Sequence, residues 1–154
     1  MMPNLKRPLA LWVIVVFMTL FSIMVLLGQT TAIFAYDLTV SMGLQESIDE
    51  VGPFGVEMNR SFGIGDTVAY IPLMILSVIG LLMRKRWALF TTAAVMRISV
   101  YWAVTMGALL MLAPGVPGYT LEPGIEYTVF LGAHIVFGIL GLIYLLVRRD
   151  RLFG

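Results

Sequence analysis

Four stretches of this 154-residue chain are long and apolar enough to cross about 30 Å of hydrocarbon, a distance that takes roughly 20 residues of helix. They run approximately over 9–35, 64–83, 87–112 and 125–147. Backbone polar groups find no water in lipid, so runs of this kind must bond internally and fold as helices. Composition agrees. The chain is 60% hydrophobic and 12% charged with a mean hydropathy of +0.95, whereas a water-soluble domain is about half apolar and about a quarter charged. The expected fold is an all-α integral membrane protein, one membrane domain over 1–154. It is a four-transmembrane-helix antiparallel bundle, up-down-up-down, with a short amphipathic helix on its outer surface.

The first run resembles a signal peptide in having Lys6 and Arg7 before it. Its apolar segment from Leu9 to Leu27 exceeds the roughly 7 to 15 residues of a signal h-region, and it is read as a retained span. Cysteine is absent, which excludes disulfides, thiolate metal sites and thiol catalysis. A net charge of +1 argues against a nucleic-acid partner.

The position of the charges says more than their sum. Lys6 and Arg7 precede the first run, Arg84, Lys85 and Arg86 join the second to the third, and Arg148, Arg149 and Arg151 follow the fourth. Placing these on the cytoplasmic side satisfies the positive-inside rule for eight of the ten basic residues, with Arg60 outside and Arg97 within a span. Asp37, Glu46, Asp49, Glu50, Glu57, Asp66, Glu122 and Glu126 then fall outside or at the outer membrane edge, and Asp150 alone is inside. Both termini are expected in the cytoplasm, with the turn 84–86 and the tail 148–154. Trp12 and Trp87 fall at the inner interface, which suits an indole.

Two connectors remain on the outer side, 36–63 and 113–124. In the first, Leu44, Ile48 and Val51 recur at helical spacing beside Gln45, Glu46, Asp49 and Glu50, the pattern of a short surface helix. Gly52-Pro53 is expected to end it. Ser47 and Glu50 have the spacing of a capping box, but the Gly-Pro pair arrives too soon for a helix to follow, so the match is read as accidental. The second connector is rich in Pro and Gly and is expected to form a tight cap.

Ionisable side chains within membrane spans are costly, so Asp66, Arg97, Glu126 and His134 are candidates for function. Arg97 lies 11 residues beyond Arg86, roughly 16 Å along the helix. Arg97, Tyr101 and Thr105 form one stripe, about 200° from the small-residue stripe Ser99, Ala103 and Gly107. The polar stripe either lines a cavity or meets another protomer, and a snorkelling arginine is the plainer reading. Asp66 and Tyr70 share a face, and Pro72 withdraws a bond from the carbonyl of Val68. The plainer readings there are a carboxylate at a helix start and a tolerated kink. His134 shares a face with Glu126, and a lone membrane histidine is most simply an interhelical hydrogen-bond donor. Asp66, Tyr70, Glu126 and His134 are expected to line one pocket open to the outer leaflet, with Arg97 at its floor or outside it, and Tyr101 is a further candidate through its stripe with Arg97. No metal-ligand spacing, phosphate loop or nucleophile elbow occurs, so neither metal nor cofactor is expected.

The run Asn59-Arg60-Ser61-Phe62-Gly63-Ile64-Gly65-Asp66-Thr67-Val68-Ala69-Tyr70-Ile71-Pro72-Leu73, followed by Arg84-Lys85-Arg86-Trp87, resembles a group of small four-span prokaryotic membrane proteins of unknown function. The likeness runs to the end of the third span and implies a four-helix fold in a prokaryotic cytoplasmic membrane, with no activity attached. The layout is loosely similar to DoxX-type four-span proteins, some of which accompany quinone-linked oxidoreductases. No DoxX motif matches residue by residue, and no functional residue carries over.

The expected function is a non-enzymatic one, an accessory subunit or a bundle that binds a lipid or small amphiphile, acting as a homo-oligomer or within a larger membrane complex. One alternative is an oligomeric transporter or channel subunit with a polar path through Asp66, Arg97, Glu126 and His134. Another is a membrane-embedded enzyme acting on a lipid, quinone or isoprenoid, with His134 or Asp66 as acid or base.

Overall fold

The computed structural model describes residues 8–153, and no strand occurs among them. Lys6 and Arg7 lie outside the described residues. Five helices follow in order: α1 Leu9–Phe34, α2 Tyr36–Ser41, α3 Ile48–Leu82, α4 Trp87–Leu112 and α5 Ile125–Phe153. All but α2 are long and apolar enough to cross a membrane. α1 packs on α3, α3 on α4 and α4 on α5. Phe17 of α1 stacks on Phe137 of α5 with centroids 3.8 Å apart, which closes the ring of four.

The largest departure from expectation lies before residue 64. α3 begins at Ile48, because Ser47 and Glu50 do form a capping box: the Glu50 carboxylate accepts both the backbone N–H and the hydroxyl of Ser47, each at 2.7 Å. Gly52-Pro53 bends this helix instead of ending it. Gly52 takes φ 69° and ψ 171°, and the chain then resumes α-helix at Pro53, where a missing N–H costs nothing in a first turn. The expected surface helix over Leu44, Ile48 and Val51 is not formed, since 44–47 is non-helical. The short helix of this connector is α2, which follows a break at Ala35. Arg60 donates to the carbonyl of Ile33 at 3.0 Å, satisfying an orphan acceptor at the end of α1, and pairs with Glu57 at 2.9 Å.

α1 and α3 each contain one wide turn, at Leu26–Thr30 and Asp66–Tyr70. The second has a clear cause. Pro72 has no N–H, and the bond pattern slips upstream so that Ile71 N–H reaches the carbonyl of Asp66, five residues back. The two wide turns touch through Thr30 Oγ1 and Thr67 Oγ1 at 2.8 Å. Gly63 permits this approach, since a Cβ there would lie 2.5 Å from the carbonyl oxygen of Gln29.

At the far end, α3 stops at Arg84, whose φ of 53° supplies the left-handed residue of a Schellman turn, with Lys85 N–H bonded to Gly80 O and Arg84 N–H to Leu81 O. The expected tail 148–154 is helical through Phe153 instead. Leu152 and Phe153 are buried, and Arg86 Nε donates to the carbonyl of Phe153 at 3.3 Å.

The core fills one half of this ring. Met18, Met74, Leu81, Val95, Met96 and Leu145 are fully buried in the half nearer the Arg84-Lys85-Arg86 turn. The half nearer the two long connectors is hollow.

Candidate functional site

The hollow half holds a partly enclosed cavity of about 880 Å³. That lies within the range of pockets that take one small-molecule ligand. Its walls come from the later turns of α1, the first half of α3, the last turns of α4 and the first turns of α5. Both wide turns border it, the first through Gly28 and Gln29 and the second through Asp66 and Tyr70. A wide turn inserts a residue without closing the helix gap, and such turns recur where a helix must make room for function.

Aromatic rings form the floor. Phe21 meets Tyr70 edge-on with centroids 6.0 Å apart, and Phe130 meets Trp102 edge-on at 5.9 Å. All four line the cavity, and Phe21 and Tyr70 also belong to the packed core beneath. The Tyr70 hydroxyl shares a 2.6 Å hydrogen bond with Ser99 Oγ. Ser99 and Ala103 are thereby the inward face of α4, a consequence of their small size.

The mouth is organised by Glu46. Its carboxylate accepts from Asn59 Nδ2 and from the Tyr127 hydroxyl, each at 3.0 Å, while its backbone carbonyl accepts from the Tyr36 hydroxyl at 3.0 Å. Asn59 Nδ2 also donates to the Tyr36 hydroxyl at 3.0 Å. α2, α3 and α5 are thus tied to one acid. Burial raises the Tyr36 phenol above its ordinary pKa, partly offset by Asn59, and the charges of Glu46 and Glu50 push the same way as burial. Burial likewise raises the phenol of Tyr119, with Glu46 adding to it. The second connector crosses over the start of α3. Thr120 and Leu121 N–H both reach the carbonyl of Glu50, at 2.7 and 3.1 Å, and the Thr120 hydroxyl reaches that of Asp49.

Of the residues singled out in the sequence, Asp66, Tyr70 and Glu126 do line this one cavity. Asp66 is not at a helix start, as helix already runs from Pro53 to Gly65 before it. It is half-buried and has no hydrogen-bond or ion-pair partner among the described residues. Glu126 is exposed at the rim, in the first turn of α5.

His134 is not on the wall. It lies beneath the floor, 2% exposed, ringed by Phe17, Phe21, Trp102 and Phe130 with centroids 4.3 to 5.7 Å away. Its bond is to its own helix and not across helices: Nδ1 is 2.8 Å from the carbonyl of Phe130. A carbonyl only accepts, so the proton sits on Nδ1, and buried Nε2 has no partner among the described residues.

Arg97 and Tyr101 are on the outer surface of the bundle, Tyr101 at 72% exposure. The polar stripe of α4 therefore faces away from the cavity, and Asp66, Arg97, Glu126 and His134 do not form one continuous path within the chain. No group of three metal-ligating side chains occurs among the described residues.

Sequence reasoning passed over Glu46, Asn59, Tyr127 and Trp102. Comparison with protein-family models, with curated proteins and with solved structures gave no match for this chain.

Proposed function

We propose that this protein is a non-enzymatic membrane bundle that binds a small amphiphile in the cavity between its four long helices. The observation that carries this reading is the cavity itself, about 880 Å³ with mainly apolar walls and a polar mouth. A tail would lie against apolar wall residues such as Met24, Met58, Met106 and Leu109, and a head would meet the acids of the cavity, Glu46 and Asp66 among them. Gln29 and Tyr119 also border the cavity, and Gln29 Oε1 and the Tyr119 hydroxyl are buried with no partner among the described residues.

The spans are antiparallel in this reading. Support comes from paired levels along the bundle: Arg86 meets Phe153 at one end, Tyr70 meets Ser99 midway, and Glu46 meets Tyr127 at the other. The outward apolar side chains suit lipid, among them Leu20, Val68, Leu140 and Val147 at 60 to 73% exposure. The basic turn and both termini are assigned to the cytoplasm of a prokaryotic cell. Outward Arg97 and Tyr101 favour association with a second copy or a larger complex over a solitary chain, because a guanidinium facing hydrocarbon is costly without a partner.

Mass spectrometry of what leaves the membrane with the purified protein tests the binding claim. One lipid or small amphiphile per chain should copurify, and its yield should fall in Met106→Trp, which places a larger ring on the cavity wall. Protein that carries nothing beyond bulk lipid, or the same cargo in Met106→Trp, would sink the reading.

A further inference from the structure

We infer that the cavity selects an amphiphile whose head is a single ammonium cation, with Asp66 as the counter-charge and the aromatic floor as the cation's apolar seat. This rests on the amphiphile-binding reading above and names its ligand class.

The first ground is a one-sided inventory. Every charged side chain on the cavity wall is a carboxylate, namely Glu46, Asp66 and Glu126, and no Lys, Arg or His joins them. The basic residues of the described chain lie elsewhere: Arg60 is engaged by Glu57 and Ile33, Arg97 faces outward, and the others cluster at the opposite end. A phosphate, sulfate or carboxylate head would enter this space against three acids and without a counter-ion.

The second ground is the state of the three acids. Glu46 already accepts from Asn59 and Tyr127, and Glu126 is exposed to solvent at the rim. Asp66 alone is half-buried on an apolar wall with no donor among the described residues. A half-buried carboxylate in a region of low dielectric gains most from a cation, since no protein donor among the described residues neutralises it. Gln29, which also lines the cavity, is neutral, and its Oε1 is a further acceptor with no partner among the described residues.

The third ground is the aromatic lining. Tyr70 stands one helical turn from Asp66, with Phe21 edge-on to it and Trp102 and Phe130 completing the floor. Ring faces attract alkylammonium groups and give an anion no equivalent gain. A carboxylate beside several rings is the combination that recognises quaternary or tertiary amines, and the apolar walls accommodate a chain attached to one. The hydroxyl of Tyr119 and the amides of Gln29 and Gln45 can donate, but neutral donors do not supply the positive charge that would offset three carboxylates.

The test keeps the tail constant and changes the head. Purified full-length protein in nanodiscs of uncharged lipid is titrated calorimetrically with dodecyltrimethylammonium, dodecyl maltoside, dodecylphosphocholine and dodecyl sulfate. Each is kept below its micelle-forming concentration, and empty discs serve as the blank. The ammonium compound should bind about tenfold or more tighter than the maltoside, the zwitterion should gain no such advantage, and the sulfate should bind weakest. In Asp66→Asn the ammonium-to-maltoside ratio should fall to near one, while Glu57→Gln, which removes an acid outside the cavity, should keep it. Equal affinity for all four heads would leave the amphiphile reading standing and overturn the cation preference. Saturable binding of none of them would overturn both. An ammonium preference that survives in Asp66→Asn would overturn the assignment of the counter-charge, and the wild-type series by itself decides the preference if that variant does not fold.

Discussion

Gly52 is held by two separate constraints. Its φ of 69° with ψ of 171° falls in a region that side-chain-bearing residues hardly enter, and an added Cβ would sit 2.8 Å from the carbonyl oxygen of Gly118. Gly43 has the same φ, yet nothing lies within 4 Å of its missing Cβ. The pair separates conformational cost from collision. Gly43→Ala should cost about 1 kcal/mol from its backbone alone, and Gly52→Ala should cost more, of order 3 kcal/mol, because the second connector must also move off α3. Thermal midpoints in one detergent check this, and equal losses would show that the connector is not seated there. At this scale the sequence was informative about Asp66, because an acid inside an apolar run stands out. It was silent about Glu46, whose importance comes from three hydroxyl and amide donors brought from residues 36, 59 and 127, and no local pattern announces a meeting of that kind.

Among the elements, four apolar runs predicted four long helices, and the bounds of the third, Trp87–Leu112, coincide. The second was misjudged because Gly-Pro has two meanings, a stop when the backbone turns away and a bend when the helix resumes at the proline. The capping box upstream was the evidence for resumption, and the low hydropathy of residues 53–63 hid it. On α4, spacing separated a small-residue face from a polar one but gave no means of choosing which turned inward. Packing chose the small one, since close helix contact needs little side chain. The same rule predicts the behaviour of α5. A Cβ on Gly138 would lie 2.5 Å from Val100 Cγ2 and 2.7 Å from the carbonyl oxygen of Met96, whereas one on Gly132 would touch nothing. Gly138→Ala should therefore push α4 and α5 apart and destabilise by roughly 1–3 kcal/mol, and Gly132→Ala should be neutral or stabilise by up to about 1 kcal/mol through the entropy of the unfolded chain. The opposite order of midpoints would refute this packing of α4 on α5.

The whole molecule divides into a packed half beside the basic turn and a hollow half beside the connectors, and this division gives the charge asymmetry a physical reading. Acids gather where the cavity opens, and bases gather where the bundle is closed. If the basic turn faces the cytoplasm, the cavity mouth faces the opposite side, and any ligand arrives from outside the cell or from the outer leaflet. Orientation thus decides which pool the cavity can sample. The absence of cysteine makes this measurable without first removing native thiols. Glu122→Cys places a thiol on the exposed second connector, and Lys85→Cys places one in the exposed basic turn. A membrane-impermeant maleimide applied to intact cells should label Glu122→Cys and leave Lys85→Cys unlabelled until the cells are permeabilised. An even number of spans then puts both ends of the chain with Lys85, and reporter fusions at either end should agree. The reverse labelling would turn the cavity toward the cytoplasm and make cytoplasmic amphiphiles the ones to test, with the geometry of the site unchanged.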